Sequence, residues 1–228
     1  MTAILNLRAL LFDAGDVIYH RPRRGARLKP FLAQMGLPKT APDAAALAEL
    51  KRQAHAGEIS KKQYQDEVLA LNGVSGNAAR LAGRRILDDE QRDVEFFAGV
   101  PETLRRLKAA GLRLGIVTNT FDATADKLDW FKRVGIDDLW DSFATSCELK
   151  VCKPDARIYL AALRPLGVRA DHAGFVGHAA AELQGAKDLG LVTIAFNRDD
   201  PAVPADHIIA EFSDLLPLVG LGVYAVEN

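Results

Sequence analysis

An aspartate follows an apolar run near the N-terminus of this 228-residue chain. Residues 9–12 (ALLF) are typical of a buried strand, and Asp13 with Gly15 marks the turn that ends it. A carboxylate at the carboxyl end of a central strand can act as a nucleophile or bind a metal ion. The alternative is that Asp13 only ends the strand and caps the segment that follows.

Three further segments place polar residues at or near the ends of predicted strands. They contain Thr118 with Asn119, Lys153, and His178 with Glu182. The carboxyl ends of parallel strands meet at one edge of a sheet, so these side chains are expected to lie near Asp13. Together they offer a nucleophile, a cation, hydrogen-bond donors and potential metal ligands.

The elements that must position these residues alternate between strand and helix after residue 100. Apolar runs at 112–119, 142–146, 173–177 and 191–196 alternate with helical patterns, and a short last strand is predicted at 207–209. This alternation predicts a parallel sheet covered by helices on both faces, an α/β fold. In the predicted helix 154–166, four residues are expected to face inward: Ile158, Leu160, Ala161 and Leu163.

Residues 19–97 interrupt this alternation with helical patterns and no convincing strand. The segment begins with a basic run made of His20, Arg21, Arg23, Arg24, Arg27 and Lys29. This run is interpreted either as a solvated hinge or as a surface that attracts an anionic substrate.

Composition narrows the class of protein. The formal net charge is −1, with 49 % hydrophobic and 26 % charged residues, which is ordinary for a globular protein and predicts neither a nucleic-acid nor a membrane partner. Cys147 and Cys152 lack zinc-site spacing and are expected to be reduced packing residues. Without a secretory pattern, the chain is predicted to be cytoplasmic, as a monomer or a homodimer.

The polar segments occur in the order typical of the haloacid dehalogenase-like hydrolase superfamily, which the chain resembles over nearly its whole length. The matching frames are residues 12–17 (FDAGDV), 116–119 (IVTN), 152–159 (CKPDARIY) and 175–186 (FVGHAAAELQGA). The resemblance implies a Rossmann-like, doubly wound parallel sheet formed by residues 1–18 and 98–228. Residues 19–97 would form an inserted helical cap domain.

The resemblance also implies how the site would work. Asp13 would attack phosphorus and form an aspartyl-phosphate, with Thr118 and Lys153 as further catalytic residues. Thr118, Asn119 and Lys153 would bind the phosphate. Lys150 competes with Lys153 for the cationic role, and the Lys-Pro-Asp context favours Lys153.

The expected metal site departs from the family's pattern. Mg²⁺, with Mn²⁺ or another divalent ion as the alternative, would be held by Asp13, the Gly15 carbonyl, His178 and Glu182. His178 stands where the family carries an aspartate, and imidazole suits later transition metals better than Mg²⁺. His178 is therefore either a ligand or a residue at a helix start without a metal role. Glu182 is either a ligand or an acidic residue favoured in a first helical turn.

A second departure concerns the general acid. Phosphatases of this family usually carry a second aspartate two residues after the nucleophile, where this chain has Gly15. Loss of a general acid typically costs about 10²–10⁴-fold in rate. Asp16 is a candidate substitute, although a one-residue shift along a turn directs a side chain elsewhere.

Three functions are consistent with these residues. The leading one is a magnesium-dependent phosphatase of a small phosphorylated metabolite. The second is a degenerate member that binds a phosphorylated ligand or a protein partner, because two expected acidic residues are absent. The third is a 2-haloacid dehalogenase, which needs no metal but usually carries Tyr at the position of Gly15 and polar residues around Ala179.

Overall fold

Six parallel strands form the central sheet of this protein, whose structure is a computed structural model describing residues 4–37 and 42–222. In chain order the strands of the structure are β1 (Ala9–Phe12), β2 (Tyr19–His20), β3 (Glu95–Phe96), β4 (Arg113–Thr118), β5 (Ser142–Thr145), β6 (Ala173–Gly177), β7 (Val192–Ala195) and β8 (His207–Ile208). The order across the sheet is β5-β4-β1-β6-β7-β8. Phe12 lies opposite Ile116 and Val176, so β1 is central and Asp13 leaves the sheet between two neighbouring strand ends.

Ten helices accompany these strands in the described residues. They are α1 (Leu28–Gln34), α2 (Ala44–His55), α3 (Lys61–Leu71), α4 (Asn77–Arg92), α5 (Val100–Ala109), α6 (Thr124–Lys132), α7 (Ser146–Leu149), α8 (Ala156–Leu166), α9 (Ala180–Asp188) and α10 (Leu215–Leu218). None of the helices within residues 4–37 and 42–222 has the length and hydropathy of a membrane span.

Helices cover both faces of the sheet, as alternating side chains on β1 require. Leu10 and Phe12 belong to the core that packs against α5, α6 and α10. Ala9 and Leu11 belong to the opposite core, which packs against α8 and α9. The predicted doubly wound α/β fold is therefore confirmed.

The segment 19–97, called here the helical insertion, carries α1 to α4 between the two short strands β2 and β3. Its helix starts follow local rules: Asp43 accepts a hydrogen bond from the Ala45 backbone N–H, and Ser60 forms a capping box with Gln63. The antiparallel pair β2–β3 was not expected, because two-residue strands leave no periodic pattern. The predicted division at 18/19 and 97/98 remains a prediction, and its ranges include residues 1–3, 38–41 and 223–228, outside the described residues.

The inward face of α8 differs from the expectation, because only Ile158 and Leu163 of the four expected residues are buried and Ala161 is half-buried. Leu160 is 44 % exposed, whereas Tyr159 is fully buried. The buried positions are 158, 159, 162, 163 and 166, one stripe along the helix that follows the 3.6-residue period. The expected set included Leu160 and left out Tyr159, whose hydroxyl donates a hydrogen bond to the Glu182 carbonyl at 2.7 Å.

Candidate active site

Asp13 lies at the end of the central strand and is 5 % exposed. Its backbone N–H donates to the Val176 carbonyl at 3.0 Å, which extends the parallel ladder by one residue and fixes where the side chain starts. Oδ1 accepts a hydrogen bond from the Ala14 N–H at 2.7 Å. Oδ2 lies 2.7 Å from Lys153 Nζ and 3.4 Å from His178 Nε2. Burial disfavours the charged carboxylate, but the charge of Lys153 and hydrogen bonds from both neighbours hold the pKa of Asp13 well below its ordinary value.

Lys153 bridges two carboxylates beneath the site. Its Nζ lies 2.7 Å from Asp13 Oδ2 and 2.7 Å from Glu182 Oε2, and its side chain is 1 % exposed. Burial disfavours the ammonium, yet the charges of Asp13 and Glu182 raise the pKa of Lys153. The competing Lys150 is exposed and makes no ion pair with any residue the structure describes. The structure thus places Lys153, and not Lys150, beside Asp13.

The segment around Lys153 is held by its neighbours. The Asn119 side chain accepts a hydrogen bond from the Lys153 N–H at 2.8 Å and donates one to the Lys153 carbonyl at 3.2 Å. Gly185 in α9 makes the close approach possible, because an added Cβ would lie 2.5 Å from the Pro154 carbonyl oxygen. Asn119, expected to contact phosphate, is therefore also bound to the backbone of Lys153.

Thr118 ends β4 and lines the same cavity as Asp13. It is 2 % exposed, and its hydroxyl has no hydrogen-bond partner among residues 4–37 and 42–222. The hydroxyl is consequently available to a ligand.

Glu182 and His178 converge on Asp13 from the start of α9 and the loop before it. One potential ligand atom from each of the three residues lies within 4.8 Å of the other two. Burial raises the pKa of the Glu182 carboxyl, and the opposing charge of Lys153 does not cancel this effect. Burial disfavours charged imidazole, but Asp13 and then Asp199 raise the pKa of His178 to about 9.

Asp199 was missed by the sequence analysis. Its Oδ1 lies 2.7 Å from His178 Nδ1, so it directs the other ring nitrogen, Nε2, toward Asp13. A histidine that binds a metal commonly donates its second N–H to a carboxylate in this way. The only signal in the sequence was that Asp199 follows the apolar run 191–196 at the same edge of the sheet.

This arrangement fits a divalent ion that accepts both oxygen and nitrogen ligands. Asp13 and Glu182 supply carboxylates, His178 supplies an imidazole oriented by Asp199, and this mixed set suits Mn²⁺ or a later transition ion better than Mg²⁺. The converging group is a candidate metal site that contains the three expected side-chain ligands, Asp13, His178 and Glu182.

Gly15 and Asp16 form the turn after Asp13, and both line the cavity. A Cβ added at Gly15 would meet no atom within 4 Å, so the turn has room for a side chain there. Asp16 adopts a left-handed backbone (φ 58°), and its carbonyl accepts a hydrogen bond from Asn197 Nδ2 at 2.9 Å. Its carboxylate lies 3.9 Å from Arg24, on the side of the helical insertion.

The cavity above Asp13 has a volume of about 720 Å³, enough for a small metabolite. Both the core and the helical insertion line this cavity. Where the two parts meet, the ring centres of Tyr64 in the insertion and Phe121 in the core are 4.6 Å apart. The basic run divides here. Arg23 pairs with Asp93 and Glu95 at the surface, whereas Arg21 and Arg24 line the cavity.

The two cysteines lie outside this group. Burial raises the pKa of the thiols of Cys147 and Cys152, so neither is predisposed to act as a thiolate.

Known proteins with similar sequences belong to the family that the chain resembles. Residues 7–190 match the profile of the haloacid dehalogenase-like hydrolases. The chain is 32 % identical over 137 residues to (S)-2-haloacid dehalogenase 4A of Burkholderia cepacia, a match that spans 58 % of each chain. It is 27 % identical to glyceraldehyde 3-phosphate phosphatase of Methanothermobacter thermautotrophicus, over 89 % of this chain and 91 % of the phosphatase.

Solved structures agree on the fold. A 2-haloacid dehalogenase from Pseudomonas syringae superimposes with a TM-score of 0.69 at 23 % identity, covering 93 % of this chain and 98 % of the other. The profile match covers most of the chain, and its relatives include both phosphatases and dehalogenases. The protein therefore belongs to the haloacid dehalogenase-like hydrolase family and is a hydrolase.

Proposed function

We propose that this protein hydrolyses a phosphate monoester of a small metabolite through a covalent ester on Asp13. The observation that carries the proposal is the environment of Asp13, a buried carboxylate whose lowered pKa keeps it ionised between Lys153 and His178. An ionised carboxylate can attack phosphorus, whereas a protonated one cannot. Relatives that include a glyceraldehyde 3-phosphate phosphatase support a phosphorylated substrate.

The reaction would proceed in two steps. A carboxylate oxygen of Asp13 forms a bond to phosphorus while the bond from phosphorus to the alcohol oxygen breaks, and the leaving oxygen takes a proton from a solvent water molecule to give the alcohol. Water then attacks the phosphorus of the aspartyl-phosphate, which releases inorganic phosphate and restores the carboxylate. The Lys153 ammonium and the free Thr118 hydroxyl would stabilise charge on the phosphoryl oxygens.

A divalent ion would be held by the carboxylates of Asp13 and Glu182, the imidazole of His178 and the carbonyl of Gly15. When bound, the ion supplies positive charge to the phosphoryl oxygens. Asp199 would orient His178 through its 2.7 Å contact with Nδ1. Mg²⁺ is the ion expected from the family, and the imidazole ligand favours Mn²⁺ over it.

His178→Asp tests this metal site directly. Replacing the imidazole by a carboxylate should lower the Mg²⁺ concentration needed for half-maximal activity by about tenfold, because Mg²⁺ prefers oxygen ligands. His172→Asp, a change at a half-buried histidine remote from Asp13, is the control. An unchanged metal preference in His178→Asp would remove His178 from the ligand set.

The activity itself is tested with p-nitrophenyl phosphate and a panel of phosphorylated metabolites, with Mn²⁺, Mg²⁺ or EDTA. We expect phosphate release with added ion and its loss in Asp13→Asn, with the melting temperature of the variant showing that it folds. No turnover in any condition would contradict the proposal and favour a non-catalytic, ligand-binding protein. The cytoplasmic location and the monomeric or homodimeric state stay predictions.

A second candidate is 2-haloacid dehalogenation. It is favoured by the neutralisation of Asp13 by Lys153 and His178 without any ion, and by the 32 % identity to a haloacid dehalogenase. Asp13 would displace the halide from carbon 2, and water would hydrolyse the resulting ester to the 2-hydroxy acid. Chloride release from 2-chloropropionate in EDTA, without phosphatase activity in any metal, would select this candidate.

A further inference from the structure

A second charged region of the cavity is centred on Lys127 in α6. Lys127 is 2 % exposed and lines the cavity. Its Nζ donates to the Tyr19 hydroxyl at 2.8 Å and lies 5.0 Å from the Trp130 ring centre. Within the described ranges no carboxylate lies in ion-pair distance of this ammonium. A buried lysine without a counter-charge is costly, so an anion supplied by a ligand would stabilise it.

Arg21 lies on the same aromatic pair. Its guanidinium carbon is 5.2 Å from the ring centres of Tyr19 and Trp130, and its side chain is 13 % exposed. Nε donates to the Gln91 carbonyl at 3.1 Å, which fixes the plane of the group. The terminal nitrogens remain for a ligand, because the nearest carboxylate oxygen described, Asp122 Oδ2, is 4.0 Å away.

The positive charges of Arg21 and Lys127 are not matched by nearby negative charges. Asp122 is buried, and its Oδ1 is already paired with Lys61 at 2.9 Å. Lys61 is also 3.1 Å from Asp88. Asp122 carries a single negative charge, which cannot neutralise both Arg21 and Lys127. Burial first, and then the charges of Lys51 and Lys127, lower the pKa of the neighbouring His55 to about 4.

We propose that Arg21 and Lys127 bind a second anionic group of the substrate, a carboxylate or a phosphate, while the reacting phosphate lies at Asp13. Arginine supplies a planar pair of donors and lysine a point charge, which together suit an oxyanion. The inference rests on the proposed function, because it assigns the substrate class to phosphate monoesters that carry another acidic group. Neither Arg21 nor Lys127 contacts Asp13, Lys153 or Glu182 in the described structure.

Matched phosphonates, which are not hydrolysed, test the subsite by calorimetry in the presence of Mn²⁺. One series consists of ethyl-, propyl- and butylphosphonate. A second replaces the terminal methyl group by carboxylate, and a third by a second phosphonate. We expect the second acidic group to tighten binding by about 10–100-fold at one chain length or more, the gain typical of hydrogen bonds to charged groups. The second and third series distinguish a carboxylate from a phosphate.

Two variants test whether Lys127 and Arg21 cause this gain in affinity. Lys127→Met and Arg21→Met should each remove most of it, whereas Lys132→Met, an exposed lysine on the same helix, should retain it. Lys127→Met keeps the volume of a buried side chain, so it is expected to fold, and a melting curve checks this. Arg21→Met gives an independent answer if Lys127→Met does not fold.

The outcomes separate this inference from the proposed function. No gain from a second acidic group in the wild-type protein, or a gain retained in both Met variants, overturns the subsite even if phosphate esters are hydrolysed. A gain lost in the Met variants supports the subsite even if no phosphate ester is turned over, and only the proposed reaction then fails. If none of the three series binds, both the subsite and the phosphate site at Asp13 are overturned.

Discussion

Every residue of β1 and β6 is buried, whereas α1 of the helical insertion contains no buried residue and α2 contains only Ala54. The core therefore positions Asp13 through a backbone ladder and close packing on both faces of the sheet. The insertion meets the core through side chains, among them Lys61 on Asp122 and Tyr64 on Phe121. A backbone ladder tolerates little displacement, while single ion pairs and ring contacts are individually weak.

This difference suggests a division of work. The residues proposed for chemistry lie on the rigid sheet edge, where a misplacement is costly. The residues of the helical insertion that line the rest of the cavity lie on elements with few buried residues, which can change without unfolding the core. Substitutions around Asp13 should accordingly affect turnover and stability, whereas substitutions elsewhere in the cavity, in the insertion or at Lys127 in α6, should mainly affect substrate affinity.

The largest effect is expected from Lys153→Met. The change leaves the buried carboxylates of Asp13 and Glu182 without their shared cation, which should cost about 3–5 kcal/mol of unfolding free energy. Turnover should fall by about 10²–10³-fold, as for the loss of one preorganised electrostatic contact. Urea titration and phosphatase assays measure both. Lys150→Met, an exposed lysine three residues earlier, is the control, and an equal effect there would contradict the assignment.

Gly15→Asp should increase turnover. The position has space for a side chain, and an acid there could protonate the leaving alcohol. We expect turnover of an alkyl phosphate to rise by about 10²-fold, with little change for p-nitrophenyl phosphate, whose leaving group needs no proton. Gly15→Asn has the same size without the acid. Equal rates in the two variants would show that proton transfer does not limit the reaction.

The insertion should carry a pH-dependent part of the stability through His55. Its pKa is lowered from 6.5 to about 4 in the folded protein by burial and by Lys51 and Lys127. As pH falls from 7 to 5, the unfolded chain binds a proton that the folded chain does not, so stability is lost on acidification by about 1–2 kcal/mol. Chemical unfolding at both pH values should show a smaller loss in His55→Gln. An identical loss in that variant would exclude His55 as the source.

The smallest effect is expected from Lys61→Met at the boundary between insertion and core. Losing this partly exposed ion pair with Asp122 should raise KM by about three- to fivefold with kcat nearly unchanged, since one such pair contributes up to about 1 kcal/mol. Lys62→Met, whose side chain is 73 % exposed, is the matched control. A large fall in kcat instead would mean that the insertion also positions the reacting groups.

Prediction from sequence succeeded best where local rules and tertiary structure agree. The sheet was predicted correctly from the apolar runs, the glycine and proline signals and the alternation of strands with helices. The same patterns predicted that Asp13, Lys153 and Glu182 lie at one edge of the sheet, where the structure has them in contact. It failed where a choice depended on packing. The inward face of α8 includes Tyr159 rather than Leu160, because the hydroxyl of Tyr159 has a partner on α9. The two-residue strands β2 and β3 were too short to leave a period.

The sequence by itself determined the fold and the place of Asp13, because the carboxyl ends of parallel strands share an edge whatever their side chains do. Only the tertiary structure decided which side chains meet. Asp199 orients His178 from a different loop, and Lys127 reaches Tyr19 across 108 residues of sequence. Such contacts depend on how loops and helices from distant segments pack, which no local pattern records.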